Sequence, residues 1–313
     1  MRVAVIGAGI AGLACANRLA RSGYKTVLFD KGRGPGGRMS TRRVDLPDGR
    51  LHFDHGAQYL TARDPDFTAM IEGLERDGHA ARWDAAGADA WVGTPGMNAI
   101  IKALAQPRNV HWGARVEQVE QSGTGWLISG EGFDAQSCDA AIVAVPAEQA
   151  ASLLAPLDEQ IAAQARATLS EPCWTVMAAF AAPLPISDDV LRHRGDIAWA
   201  ARNAAKPGRY GPETWVVQAN VPWSQAQLER SGEEVTRLLL AALAAEMGAP
   251  LPPLLYAAAH RWRYARTTSR EAAPYWNPRL RLGVCGDWLG GARIEAAWLS
   301  GHRLAGTILT QIS

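Results

Sequence analysis

Residues 3–30 read VAVIGAGIAGLACANRLARSGYKTVLFD, and the order of residue types in this stretch decides the fold. Residues 3–6 are a short apolar run, residues 13–21 carry apolar positions at helical spacing, and residues 25–29 return to a strand pattern. Between the first strand and the helix stand Gly7, Gly9 and Gly12, with Ile10 and Ala11 inside the GxGxxG spacing. Gly7 lets the chain reverse, Gly9 leaves room for a pyrophosphate against the backbone, and Gly12 lets the helix lie close to the strand. A phosphate at that turn meets free N–H groups at the positive end of the helix. Asp30 ends the second strand, where a carboxylate can accept from a ribose hydroxyl pair. Strand, glycine turn, helix, strand and acid together predict an α/β dinucleotide-binding unit of the Rossmann type.

The rest of the composition narrows the class. A chain of 313 residues, 48% hydrophobic, can bury a large core and suits two interleaved domains. A formal charge of +1 predicts neither a nucleic-acid nor a membrane partner, and no apolar stretch is long enough to span a bilayer. Cys15, Cys138, Cys173 and Cys285 are widely spaced beside apolar runs and read as reduced thiols of a cytoplasmic protein. Ala14, Cys15 and Ala16 imitate a leader cleavage site, but glycines interrupt the apolar run and the helix continues past it, so no leader is expected. The seven His do not stand at metal-ligand spacings from Cys or acids, so no metal site is expected. GxSxG and Walker-type Lys motifs are missing from the sequence.

Directly after Asp30 come Lys31, Gly32, Arg33, Gly34, Pro35, Gly36, Gly37, Arg38 and Met39, a basic, glycine-rich loop suited to anions. From there an arginine fork can reach a pyrophosphate from the side opposite the helix. In the segment Phe53-Asp54-His55-Gly56-Ala57-Gln58-Tyr59, Gly56 and Ala57 would let the backbone approach a flat ring. Near the C-terminus an apolar strand over 280–285 leads into Gly286-Asp287-Trp288-Leu289-Gly290-Gly291-Ala292-Arg293-Ile294-Glu295-Ala296-Ala297-Trp298-Leu299-Ser300-Gly301. A helix is predicted to start near Glu295.

The loop from Lys31 to Met39 resembles the Gly-Gly-Arg segment of the amine oxidase superfamily of FAD enzymes, and the stretch from Gly286 to Gly301 resembles that superfamily's closing motif. More narrowly, residues 53–59, 215–224 and 260–264 look like the bacterial renalases. This resemblance implies non-covalent FAD, with the first glycine motif, Asp30, Lys31, Gly36, Gly37, Arg38, Met39, Gly56, Ala57, Gln58 and the backbone near Val116 at the cofactor. It also implies that Asp287 binds its ribityl or phosphate end and that Ile294, Glu295, Ala296 and Ala297, at the start of a helix whose N-terminus faces the flavin, bind the cofactor. The implied division is a discontinuous FAD domain, 1–59, 93–150 and 278–313, and a substrate domain, 60–92 and 151–277, built on an antiparallel sheet with helices.

Between these anchors, spacing predicts helices over 66–76, 97–104 and 153–169 and strands over 114–119, 125–129, 140–145, 174–180, 197–202, 214–220 and 254–261. Ser231 to Glu234 forms a capping box that opens a helix closed by Gly248. Along 214–220 the side chains alternate, placing Gln218 and Asn220 opposite Trp215, Val217 and Ala219. Asn220 with His260, Tyr59 and Trp298 is the expected wall of the substrate cavity, although Asn220 could equally begin the turn towards Pro222 and His260 could equally be a core histidine. Eight of the twelve Trp lie beyond residue 170, which suits either an aromatic chamber or a core.

Many amine oxidases of the superfamily keep a Lys near the flavin through a water, whereas Lys206 is the only Lys of the substrate half here. Renalase-like enzymes oxidise the 2-dihydro and 6-dihydro isomers of NAD(P)H to NAD(P)+, with molecular oxygen reduced to hydrogen peroxide. Such a donor becomes aromatic on losing hydride and needs a flat slot more than a base. The alternative is an amine oxidase or a related flavin-dependent desaturase.

Overall fold

The first strand is the centre of a six-stranded sheet in the computed structural model, which describes residues 1–47, 49–268 and 272–312. Positions 48, 269–271 and 313, which the sequence division assigns to one or other domain, lie outside the described residues. The sheet order is Tyr275–Asn277, Leu282–Val284, Ala140–Val143, Arg2–Ile6, Lys25–Asp30 and Asn109–Trp112, parallel except for the first edge strand. Val3 and Val5 point into an apolar cluster with Leu13 and Leu19 of the Ile10–Arg21 helix and Leu304 of the Ile294–Ile312 helix. Ala4 and Ile6 point to the other face, against Trp126 of a three-stranded meander and Leu154 and Ile161 of two short helices. Parallel sheets need both faces covered, which explains why residues 3–6 are apolar without alternation.

A second, five-stranded antiparallel sheet runs Val190–Arg194, Ile197–Arg202, Glu213–Ala219, Ser170–Phe180 and Leu254–Thr267. Trp215, Val217 and Ala219 bury against Val235, Leu239 and Leu243 of the Gly232–Met247 helix. The opposite face carries Val216 and Met177, which pack on Leu51 and Phe53 of the Gly49–Asp54 strand. One face is therefore supported by a helix while the other closes over the segment that follows Asp54. Residues 60–92 form the Pro65–Arg76 helix and a small three-stranded sheet, and Phe67, Ile71 and Trp91 join the cluster that holds Leu13 and Leu304.

Three sequence expectations need correction. The helix expected over 153–169 is two helices, Ala147–Leu154 and Glu159–Ala167, because Pro156 has no N–H to continue the first. The strand expected over 254–261 runs on to Thr267. The strand expected to include Asn220 ends at Ala219, and the Asn220 side chain instead caps the Val221–Ala226 helix, accepting the Trp223 N–H at 2.9 Å. The capping box at Ser231 and Glu234 and the left-handed Gly248 at φ 62° bound their helix as the sequence indicates.

Candidate active site

A cavity of about 610 Å³ lies between the parallel sheet and the antiparallel sheet. The glycine turn supplies Gly9, Ile10 and Ala11 to its wall, and the basic loop supplies Gly36, Arg38 and Met39. Gly56 and Ala57 come from the 53–59 segment, while Asp287, Ile294 and Ala297 come from the end of the chain. The glycine turn, the basic loop and the end of the chain converge because each follows a strand of the parallel sheet, and the 53–59 segment joins them from the separate two-stranded hairpin. The antiparallel sheet completes the wall with Cys173, Gln218, Asn220 and Trp262.

The turn is shaped by close contacts. A Cβ on Gly12 would lie 2.0 Å from the Gly7 carbonyl oxygen, and one on Gly56 would lie 2.1 Å from the Arg38 carbonyl oxygen. A Cβ on Gly9 would meet no atom of the chain within 4 Å. Gly12 and Gly56 are therefore required by the fold, whereas the open side of Gly9 faces the cavity and fits a cofactor pyrophosphate at the helix N-terminus. The Ala57 N–H donates to the same Arg38 carbonyl at 2.9 Å, which locks the 53–59 segment to the basic loop.

Asp30 fixes the glycine turn from the next strand. Its carboxylate accepts the Ala8 N–H at 2.8 Å and the Gly32 N–H at 2.7 Å, and burial raises its pKa. Each oxygen keeps a lone pair for a further donor. Lys31 donates to Gln149 at 2.9 Å, and the Asp30 carbonyl accepts from Ala114, two residues before Val116. Asp30, Lys31 and Val116 do not line the cavity itself but gather at the end of the second strand.

Other expected residues take different places. The Arg38 fork, expected to reach a pyrophosphate, is engaged by both oxygens of Asp287 at 2.6 and 2.7 Å. Glu295, expected at the cofactor, is buried and accepts the Arg63 and Asp64 N–H groups at 2.6 and 2.7 Å, so it secures the start of the Pro65–Arg76 helix. Gln58 turns away from the cavity and donates to the Asp54 and Gly56 carbonyls. Gly7, Gly12, Gly37 and Ala296 shape the backbone behind the lining. Tyr59 stacks on Trp199 at 5.1 Å, and Trp298 stacks on His302 at 4.5 Å within the apolar cluster, so neither lines the cavity.

His260 also falls outside the lining. It packs edge-on against His55 at 4.9 Å and Trp262 at 4.4 Å. In the strand register Thr175 faces His260 and Cys173 faces Trp262. His260 and Trp262 therefore share a strand side, but only the step at Cys173 and Trp262 reaches the cavity. Trp262, whose indole donates to the His55 carbonyl at 2.8 Å, lines the cavity outside the expected wall, as do Cys173, Glu171 and Arg266. The strands expected over 174–180 and 254–261 stop short of all four, which lie where the observed strands extend to Ser170 and Thr267. Of the expected polar wall, Asn220 lines the cavity together with Gln218, which donates to the Gly56 carbonyl at 2.8 Å.

Behind the 53–59 segment lies a buried charged group. Asp54 is fully buried, accepts from Thr41 at 2.7 Å and from the Met97 N–H at 2.8 Å, and is paired with Arg209 and Lys206. Lys206 donates to Gln58 at 3.0 Å. Burial pushes the Asp54 carboxyl up, but Lys206 and Arg209 outweigh it and hold the pKa at about 2. Burial pulls the Lys206 ammonium down to about 8, partly opposed by Asp54. Lys206 is thus fixed to the back of the segment whose front lines the cavity.

Comparison with known proteins agrees with this geometry. Residues 5–74 match the NAD(P)-binding Rossmann-like domain, and residues 80–309 match the flavin containing amine oxidoreductase family. The chain belongs to the flavin containing amine oxidoreductase family. It is a flavin-dependent oxidoreductase, and its cofactor is FAD. The fold is similar to that of a chain assigned as protoporphyrinogen oxidase from Exiguobacterium sp. 255-15, with a TM-score of 0.76, 13% identity and 99% of each chain covered. It is also similar to cyclohexylamine oxidase from Brevibacterium oxydans IH-35A, with a TM-score of 0.70, 13% identity, and coverage of 100% of this chain and 99% of that one. A zeta-carotene-forming phytoene desaturase of Myxococcus xanthus is 50% identical over 44 residues, which are 14% of this chain and 8% of the desaturase.

Proposed function

We propose that this enzyme oxidises dihydropyridine dinucleotides, the 2-dihydro and 6-dihydro isomers of NAD(P)H, to NAD(P)+ and delivers the electrons to molecular oxygen. The supporting observation is the position of Lys206, which is held by Asp54 and Gln58 behind the cavity wall. FAD held by the glycine turn at Gly9 to Ala11 and by the loop and closing motif at Arg38 and Asp287 would supply the two-electron redox chemistry.

The chain's own residues have to bind, orient and exclude water. Among the described lining residues, the two acids are engaged: Asp287 by Arg38, and Glu171 by Arg266 at 2.6 Å. His193 sits exposed at the rim. An amine substrate must lose a proton before or during oxidation, whereas a dihydropyridine gains aromaticity and leaves no proton to be abstracted by a base. Arg266 and Arg293 at the wall are paired with Glu171 and Glu295 but keep further guanidinium N–H groups for a substrate that carries phosphates, and Gln218, which donates to the Gly56 carbonyl, keeps its amide oxygen for a nicotinamide.

A second reading, an amine oxidase or desaturase, draws on the apolar wall from Ala198, Ala219, Val221 and Pro222. Anaerobic mixing of the oxidised holoenzyme with dihydropyridine isomers, amines and apolar polyenes separates the readings. Fast bleaching by the isomers alone supports the proposal, and fast bleaching by an amine or a polyene instead overturns it.

A further inference from the structure

A second cavity, of about 370 Å³, shares no lining residue with the first. One wall is the hairpin of Thr41–Leu46 and Gly49–Asp54, in which Arg43 faces His52 and Thr41 faces Asp54, so that these positions lie on one face. The other wall is the Ala99–Ala105 helix, which presents Ala99, Lys102 and Ala103 along one side, followed by Gln106 at the same spacing. His79 and the loop over 94–96 close the end. Small residues, Gly96, Ala99 and Ala103, thus form a recess with Arg43, His52, His79 and Lys102 around it.

The charge of this recess is one-sided. Its lining holds no carboxylate, and among the described residues neither Arg43 nor Lys102 has an ion pair. Arg50 on the same hairpin shows what a satisfied surface arginine looks like here, since its Nε lies 2.5 Å from Asp45. The charged form of His52 is disfavoured by burial, then by Arg43 and Arg50, against an opposing effect of Asp54 and with a smaller contribution from Lys102, and Lys102 is shifted down by burial and then by Arg43. Asp54, which opposes this at His52, is already paired with Lys206 and Arg209. Like charges left facing one another in a concave site are the condition in which a bound anion gains most.

We propose that this recess is a binding site for a small multivalent oxyanion, the phosphate of a phosphate monoester or inorganic phosphate itself. Arg43 supplies a planar fork, Lys102 a mobile point charge, and His52 and His79 ring N–H donors. The floor of small side chains leaves room for the group attached to a monoester. The site is independent of the donor oxidised in the flavin cavity.

The test is calorimetric titration of the FAD-loaded enzyme, in low-salt buffer free of phosphate, with inorganic phosphate and separately with glycerol phosphate. Both Arg43 and Lys102 are exposed, so Arg43→Glu, Lys102→Glu and the double variant are expected to keep the flavin spectrum, the melting temperature and the basal oxidation rate. Saturable binding that weakens about tenfold or more in each single variant and disappears in the double variant is the expected result. Tighter binding of glycerol phosphate identifies a monoester as the ligand class, and equal binding identifies the free anion. Binding that the double variant leaves intact, binding lost instead in Arg266→Ala, or no saturable binding of either probe overturns the proposal.

Discussion

Arg38 and Asp287 stand 249 positions apart and meet in a two-pronged ion pair at 2.6 and 2.7 Å. The pair ties the Gly-Gly-Arg loop to the closing motif, and both residues line the flavin cavity. Removing either partner leaves the other charge unmatched beside the cofactor. Arg38→Ala and Asp287→Ala are each expected to weaken FAD retention by about 1.5 to 3 kcal/mol, with the double variant losing less than the sum. FAD dissociation constants measured across this cycle by flavin fluorescence check it, and strictly additive losses would contradict a shared role.

The glycines of the first turn divide by mechanism. Gly12→Ala brings a Cβ to 2.0 Å from the Gly7 carbonyl oxygen and is expected to destabilise even the apoprotein, by about 1 to 3 kcal/mol or more. Gly9→Ala meets no chain atom within 4 Å, so the apoprotein should melt normally while FAD affinity falls. Melting curves with and without added FAD distinguish the two. Equal losses of apoprotein stability would show that Gly9 serves the fold and not the cofactor.

The buried group around Asp54 makes a pH-dependent prediction with two signs. The Asp54 carboxyl is lowered from 3.8 to about 2, so its stabilisation is complete above the unfolded value and is lost as pH falls through the folded one. Lys206 is lowered from 10.5 to about 8, so the folded state holds fewer protons than the unfolded chain between those values, and stability gains from this group as pH rises across that window. Asp54→Asn leaves two buried cations without their counter-charge and is expected to cost about 3 to 5 kcal/mol at neutral pH. Lys206→Met removes a penalised charge while Asp54 keeps Arg209, so it is expected to be near neutral or stabilising at pH 7 and to abolish the alkaline gain. Denaturant titrations from pH 3 to 10 check both, and a large loss in Lys206→Met at pH 7 would contradict the assignment.

FAD is expected to be held without a covalent bond. Cys173 lines the cavity, but burial pushes its thiol to about 11, and burial pushes Cys285 to about 12. Neither supplies the thiolate that an attack on the ring requires. Acid precipitation should release all the flavin, and yellow colour retained in the pellet would contradict this.

The α/β unit was readable because local signals there agree with the tertiary structure: the turn needs Gly7 and Gly12, the strands are buried on both faces, and Asp30 serves the turn beside it. Cavity residues were harder to read where their position depends on partners distant in sequence. Trp298 lies inside a cofactor motif, yet the helix phase turns it onto Phe67 and His302. Glu295 reads as a cofactor-binding residue, yet it is consumed by two backbone N–H groups 231 and 232 positions earlier. Trp262 and His260 share a strand side, and only the pairing with Cys173 decides which of them meets the cavity. Pro156, by contrast, was a local signal for a helix break that the apolar spacing over 153–169 masked.

The central claim is the identity of the hydride donor. A dihydropyridine that carries its hydride at the 2 or 6 position can place it over the flavin, whereas ordinary NAD(P)H carries it across the ring, and a misplacement of about 1 Å can cost on the order of a hundredfold in rate. Anaerobic stopped-flow reduction of the holoenzyme by 2-dihydro, 6-dihydro and ordinary NAD(P)H, alongside benzylamine and putrescine, measures this directly. The account predicts rapid flavin bleaching by one or both isomers, reduction by ordinary NAD(P)H slower by about a hundredfold or more, and none by the amines. Reduction by either amine at a rate equal to or above that of the isomers, or no bleaching by the isomers at all, would contradict it.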